Sequence, residues 1–287
     1  MKKILLVTLL ANLLIACGAQ VEVKKVYWGD TTVVREQTRY VDDIATGPHF
    51  SYYPSGKIKV ESQYLDNQLD GTYTSYFENG SIYKQESFIK GVLQGDSVTY
   101  CVGGEVKEKN HFDLGKRNGK TEVYYKCSGR IRESAQYING QIQQKNTYYE
   151  NGKPKKEFGY ADGKLQGEAL TFYRNGNTKS ERHYLSGKYQ GTNIAYYWDG
   201  SLKEKSDYKN GILQGSVRNF YEGGQLRMIT AYNNGRKNGT RKKYSESGKL
   251  WLTENYKDDK LHGTSRRYGK SGTVLRVIQY KDGEKIK

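Results

Sequence analysis

Tyr148-Tyr149-Glu150-Asn151-Gly152-Lys153-Pro154-Lys155-Lys156-Glu157-Phe158-Gly159-Tyr160-Ala161-Asp162-Gly163-Lys164-Leu165-Gln166-Gly167 is the stretch that decides the fold. It begins on two tyrosines, breaks at Asn151-Gly152, runs through alternating charges to two more aromatics, and breaks again at Asp162-Gly163. Tyrosine-rich runs favour strands, and Asn-Gly or Asp-Gly pairs supply the positive φ angles of tight turns. The segment therefore reads as strand, turn, strand, turn. Glycine recurs too often for a helix of ordinary length.

The same pattern extends in both directions. The opening glycine recurs at Gly47, Gly71, Gly95, Gly119, Gly167, Gly191, Gly215, Gly239 and Gly263 in steps of 24, with Gln143 in the one vacant slot. A second glycine follows nine residues later (Gly56, Gly80, Gly152, Gly176, Gly200), and in the fourth repeat it arrives one residue late as Gly129. Position five after the opener is always aromatic, from Tyr52 to Tyr268, and position seventeen is nearly as uniform (Tyr64, Phe88, Tyr184, Tyr208, Tyr256). Position eleven is mostly aliphatic, as in Ile58, Val106, Leu202 and Leu250. Ten such repeats fill residues 47–287, and residues 23–46 read as a degenerate capping repeat that closes one end of the array.

The expected fold is all-β: an elongated single-sheet solenoid of ten antiparallel hairpins, each 24 residues long. If each Asn-Gly pair is a two-residue turn, position five opposes position twelve and position six opposes eleven. The face with positions six, eleven and seventeen is then the buried one, and a different turn length swaps the faces.

Composition agrees with a thin sheet. The 287 residues include 33 glycines and 27 tyrosines but only 3 prolines. Aromatics stand where a compact domain would place Leu, Ile and Val. Ahead of the array, Lys2 and Lys3 precede an apolar run, Ile4 to Leu14, that is too short to span a bilayer as a helix. It ends in Leu14-Ile15-Ala16-Cys17, and small or aliphatic residues before a cysteine resemble the bacterial lipobox. Residues 1–16 thus read as a lipoprotein signal peptide, Cys17 as the lipid attachment site, and 17–22 as a tether. By resemblance to enterobacterial lipoprotein sorting, Gly18 after the cysteine implies the outer membrane of a Gram-negative envelope. Removing Lys2 and Lys3 lowers the formal charge from +16 to +14. Export argues against nucleic acid as the partner of this basic chain.

Cys101 and Cys127 lie in adjacent repeats at non-equivalent positions. An oxidising compartment would let them pair. Two strand spacings of ~4.8 Å separate them beyond disulfide reach unless loop geometry brings them together.

The segments Tyr148–Glu157 and Gly163–Glu168 resemble the MORN-type repeat in its bacterial variant, found in proteins labelled YwqK-family antitoxins. The resemblance covers residues 47–286 and implies an interaction or membrane-associated scaffold. A lipoprotein leader departs from the pattern of a cytosolic antitoxin.

No catalytic constellation emerges. His111 and His183 share position sixteen but lie three repeats apart, ~29 Å at ~4.8 Å per strand. Glu61, Glu108, Glu133, Glu157, Glu181, Glu204 and Glu254 alternate with lysines and read as a salt-bridged strand surface. The glycines belong to turns, so no phosphate loop is present. The candidate binding surface is Arg236, Lys237, Arg241, Lys242, Lys243, Arg266 and Arg267 with Tyr196, Tyr244 and Tyr268, because tyrosine and arginine are enriched at protein interfaces.

These readings describe a non-catalytic, membrane-tethered interaction module with a protein partner, in its narrow form a toxin-neutralising immunity protein. The alternative is a structural lipoprotein that binds anionic envelope polymer or lipid. No cofactor, metal or small-molecule substrate is expected. Cys17→Ser should shift the protein from the membrane to the soluble fraction on cell fractionation; retention in the membrane would count against the lipobox.

Overall fold

A computed structural model describes residues 7–9 and 18–286. Of the leader, only Val7–Leu9 is described, as a short strand pairing with Val21–Tyr27 (Val7↔Lys25). The lipobox and Cys17 lie outside the described residues. All described secondary structure is β, and the hydrogen-bonded strand pairs are antiparallel. The chain divides into two compact units, Met1–Ile142 and Gln143–Lys287. The division falls at Gln143, the one opener among the ten 24-residue repeats that is not glycine.

Within each unit, successive hairpins pair edge to edge. The seventh repeat shows the local logic. Its strands Gly191–Tyr196 and Leu202–Lys209 pair Gly191 with Tyr208, Asn193 with Ser206 and Tyr196 with Leu202. At the turn, the Tyr197 N–H donates to the Ser201 carbonyl at 2.8 Å and the Gly200 N–H to the Tyr197 carbonyl at 3.0 Å. Gly200 has φ of 91°, so the second glycine closes a longer loop in the left-handed region. The true two-residue turns are the ones between repeats. Ser186-Gly187, with φ of 49° and 80°, is flanked by the pair Leu185↔Lys188.

This overturns the expected register. The Asn-Gly turn is longer than two residues, and a bulge follows position eleven. Position five therefore opposes eleven (Tyr52↔Ile58), not twelve, and four opposes thirteen (Ser51↔Val60). From there the alternation places positions two and fifteen on the face that carries six and seventeen.

The burial pattern differs too. The enclosed residues are not the aromatics but small side chains at positions two and fifteen: Ser62, Ser97, Asn110, Thr121, Ala169, Asn193, Ser206 and Thr230. Asn193 and Ser206, directly opposed, are each 1% exposed. A one-layer sheet cannot surround a tyrosine ring. It can enclose a serine or an alanine in the hollow between rows of rings.

Position six ties each hairpin to the next. Tyr53 Oη donates to the Tyr76 carbonyl at 2.7 Å, Tyr149 to Phe172 at 2.8 Å, Tyr173 to Tyr196 at 2.9 Å, Tyr197 to Phe220 at 2.8 Å and Tyr221 to Tyr244 at 2.9 Å. In the hairpin Val21–Tyr27/Val34–Val41, Trp28 reaches forward in the same way, its Nε1 donating to the Tyr52 carbonyl at 3.3 Å. That hairpin pairs Glu22 with Tyr40, so its opener is Glu22 rather than residue 23.

In the third repeat, position six is Cys101, and it is bonded to Cys127 with a Cα–Cα distance of 6.0 Å. Strand spacing alone would hold the pair apart, and the turns supply the loop geometry that brings them together. Both cysteines sit at the same end of neighbouring hairpins, and the fourth turn, closed by Tyr125 N–H to Arg130 carbonyl, carries one extra residue. That residue lets Cys127 lean over the third hairpin. The disulfide thus stands where other repeats use a tyrosine hydroxyl.

Cys101→Ser should lower unfolding stability by about 3.5 kcal/mol, the loop-closure value for a cross-link with a sequence separation of 26. In Cys101→Tyr/Cys127→Ser, a restored hydroxyl bridge should recover about 1 kcal/mol of it. Urea unfolding followed by tyrosine fluorescence measures both, and no recovery in the double variant would refute the equivalence.

Candidate functional site

The basic residues singled out above come from strands Arg236–Tyr244 and Gly263–Tyr268, with Leu250–Lys257 between them. Strand alternation does not gather them on one surface. Arg241, Lys243 and Arg267, at positions two and four, project on one face of the sheet. Lys242 and Arg266, both at position three, project on the other. Arg236 sits at the turn opposite Asn233, and Lys237 opposes Tyr232. Tyr244 and Tyr268 end their strands opposite Leu250 and Val274.

The first face is occupied by its own repeat. Arg241 Nε donates to Glu254 Oε2 at 2.7 Å, and its Nη2 contacts the same oxygen. Arg241 also lies over the Tyr256 ring at 4.8 Å, beside Lys237 at 5.5 Å. Lys243 stacks on Trp251 at 5.5 Å. The ninth repeat thus places an ion pair where the seventh has Asn193 and Ser206, and its cations serve to satisfy it.

On the opposite face, position three and its cross-strand partners form a continuous row: Lys205↔Arg218, Arg218↔Ile229, Ile229↔Lys242, Lys242↔Thr253, Thr253↔Arg266. Lys242 and Arg266 are exposed. Lysine or arginine alternates here with isoleucine and threonine. Earlier in the same row stand Glu157, Leu170, Glu181 and Ile194, so its charge changes sign along the array.

Tyr196 belongs to a different environment. Its hydroxyl donates to Glu181 at 2.9 Å, and burial together with that carboxylate pushes its pKa up to about 12. Tyr76 does the same with Glu61 at 2.8 Å, and Glu204 accepts from Asn219 Nδ2 at 3.0 Å. The acidic residues read as lysine-paired are therefore held in several cases by hydroxyls and amides. A tyrosine at position five reaches the acid at position fourteen more directly than a flexible lysine does.

Position twelve, expected to oppose position five, carries a cation that lies instead over the position-six ring. Lys155 lies over the Tyr149 ring at 5.6 Å, Lys179 over Tyr173 at 5.6 Å, Lys203 over Tyr197 at 5.3 Å and Arg227 over Tyr221 at 5.7 Å. The 24-residue recurrence of a cation six places after the position-six tyrosine was the available signal. A shallow depression of about 270 Å³ lies among Tyr173, Lys179, Arg182, Tyr196, Lys203 and Glu204.

The histidines stay apart. His49, half-buried, meets Thr38 Oγ1 at 2.7 Å, and burial pulls its pKa down. His111 contacts Asp96 at 2.7 Å, His183 the Thr192 carbonyl at 2.8 Å, and His262 Asp282 at 3.3 Å. Among the described residues, no group of three His, Cys, Asp or Glu side chains is placed to hold a metal ion.

No curated protein sequence matches the chain. Among solved structures, similarity is found to a TcdB2-TccC3-Cdc42 complex (12% identity, TM-score 0.21) and to TcdB2-TccC3 without its hypervariable C-terminal region (13%, 0.20). The alignments cover 95% and 90% of this chain but only 17% of each of those chains. Residues 45–66, 69–90, 146–162, 165–185 and 237–258 match the MORN repeat variant family. Each of these stretches falls in the hairpin pattern described above, so these five stretches are similar to MORN repeats.

Proposed function

We propose that this chain is a non-catalytic protein-interaction module of the cell envelope, tethered to a membrane through lipidated Cys17. Immunity against a toxin protein is the narrow form of this reading. The observation that carries it is the open row Lys205, Arg218, Lys242 and Arg266 interleaved with Ile229 and Thr253. Arginine beside apolar side chains on an exposed sheet face is the composition of a protein interface, and repeat arrays bind through broad surfaces. The Cys101–Cys127 disulfide favours an oxidising compartment, in keeping with export.

A charge-driven envelope protein, binding anionic polymer or lipid, is the second reading, favoured by the net positive charge. Salt separates the two. Distributed surface charge is screened within a Debye length of about 8 Å at physiological ionic strength, whereas a packed interface withstands higher salt. In an affinity capture from native envelopes with residues 18–287 as bait, one stoichiometric protein should survive a high-salt wash. Lys242→Glu/Arg266→Glu should abolish its capture. Recovery of polymer or lipid alone, lost at high salt, would replace this reading with the second.

A further inference from the structure

The four cation–tyrosine pairs of repeats five to eight form a ladder. Lys155/Tyr149, Lys179/Tyr173, Lys203/Tyr197 and Arg227/Tyr221 occupy equivalent places in consecutive hairpins of the unit Gln143–Lys287. All four cations are exposed. Each ring is pinned by its hydroxyl to the following repeat's backbone at 2.8–2.9 Å, so the rungs are preset. The ladder ends in the ninth repeat, where Ser245 and Trp251 take the two positions. In the unit Met1–Ile142, Arg35 lies over Trp28 at 6.0 Å and Lys59 over Tyr53 at 5.7 Å, and the next hairpins place Phe77 with Tyr83 and then disulfide-bonded Cys101 there.

The spacing of the rungs selects a ligand. Equivalent positions in consecutive hairpins are two strands apart, ~9.6 Å. A polyproline II helix has three residues per turn and rises ~3.1 Å per residue, so every third side chain returns to the same side after ~9.3 Å. The mismatch accumulates to only ~1 Å over the four rungs. A β-strand ligand presents one face at ~6.7 Å intervals and falls out of step. Aromatic-lined grooves are the usual seat of polyproline II segments, because that helix is already ordered before binding. The depression between Tyr173 and Lys203 lies between two rungs.

We propose that this ladder binds an extended acidic segment of a partner protein, in polyproline II conformation, with a carboxylate at every third residue. Each carboxylate meets one of Lys155, Lys179, Lys203 and Arg227, and the intervening residues lie against the tyrosine rings. The neighbouring charges are compatible with this. Lys153, Lys156, Arg174 and Arg182 lie nearby, while Glu150, Asp199 and Glu222 belong to the turns. Glu204 at the depression is held by Asn219. The proposal deepens the protein-interaction reading and uses residues distinct from the Lys205–Arg266 row.

The test uses residues 18–287 and three synthetic peptides with four glutamates each: (Glu-Pro-Pro)4, (Glu-Pro)4 and (Glu-Pro-Pro-Pro)4, measured by calorimetry at physiological salt. All three are polyproline II and carry equal charge. Each exposed pair contributes roughly a factor of two to three, and (Glu-Pro)4 and (Glu-Pro-Pro-Pro)4 seat two glutamates and one in register, so the period-three peptide should be favoured by about 4- to 9-fold over the first and about 8- to 27-fold over the second. Lys179→Gln should cost two- to threefold. The quadruple variant Lys155→Gln/Lys179→Gln/Lys203→Gln/Arg227→Gln should abolish the preference while keeping its β circular-dichroism spectrum. Lys242→Glu/Arg266→Glu should leave it intact. Equal affinity for the three peptides, or no binding to any, overturns the ladder. A partner captured from envelopes through Lys242 and Arg266 would in that case still stand.

Discussion

A sheet one layer thick has no facing layer to bury its side chains against, and the rest of this structure follows from that constraint. Cross-strand and next-repeat contacts must supply what a core supplies elsewhere. The position-six tyrosine is the main device. Its hydroxyl satisfies a carbonyl in the following repeat, and its ring covers the sheet edge between hairpins. Tyrosine suits this place better than leucine, since one end must hydrogen-bond while the body lies on apolar surface. The abundance of tyrosine is a consequence of the architecture before it is a sign of function.

The same constraint explains where charge goes. In the third, fourth, seventh and eighth repeats the hollow at positions two and fifteen holds only small side chains, and in the ninth the Arg241–Glu254 pair fills it with both ends satisfied against each other. Cations at position twelve lie on the tyrosine rings with their charged ends in water. Because every repeat solves the same problem in the same way, side chains line up in rows with a period of two strands.

The repeat, its length, its all-β character and the positions of its turns were legible because each rests on local chemistry: glycine and asparagine where φ is positive, aromatics where strands run. The register was not. Whether Asn79-Gly80 makes a two-residue turn or closes a longer one depends on the strand twist that follows, and one residue of difference moves position eleven opposite five. The candidate surface suffered from the same ambiguity. Lys242 and Lys243 are neighbours in sequence and lie on opposite faces of the sheet. The disulfide stayed open at the level of sequence because strand spacing opposed it and only the lean of a turn could allow it.

By itself, then, the sequence determined the repeat unit, its twenty-four-residue period, the array it builds and the chemistry available at each position. These depend on backbone preferences that act within a few residues. Only the tertiary structure decided which positions oppose each other, that Cys101 bonds to Cys127, that Arg241 belongs to Glu254, and that the position-twelve cations form a ladder. Those outcomes depend on a bulge and on turn lengths. Each shifts a whole strand by one residue and so redistributes every side chain between two faces.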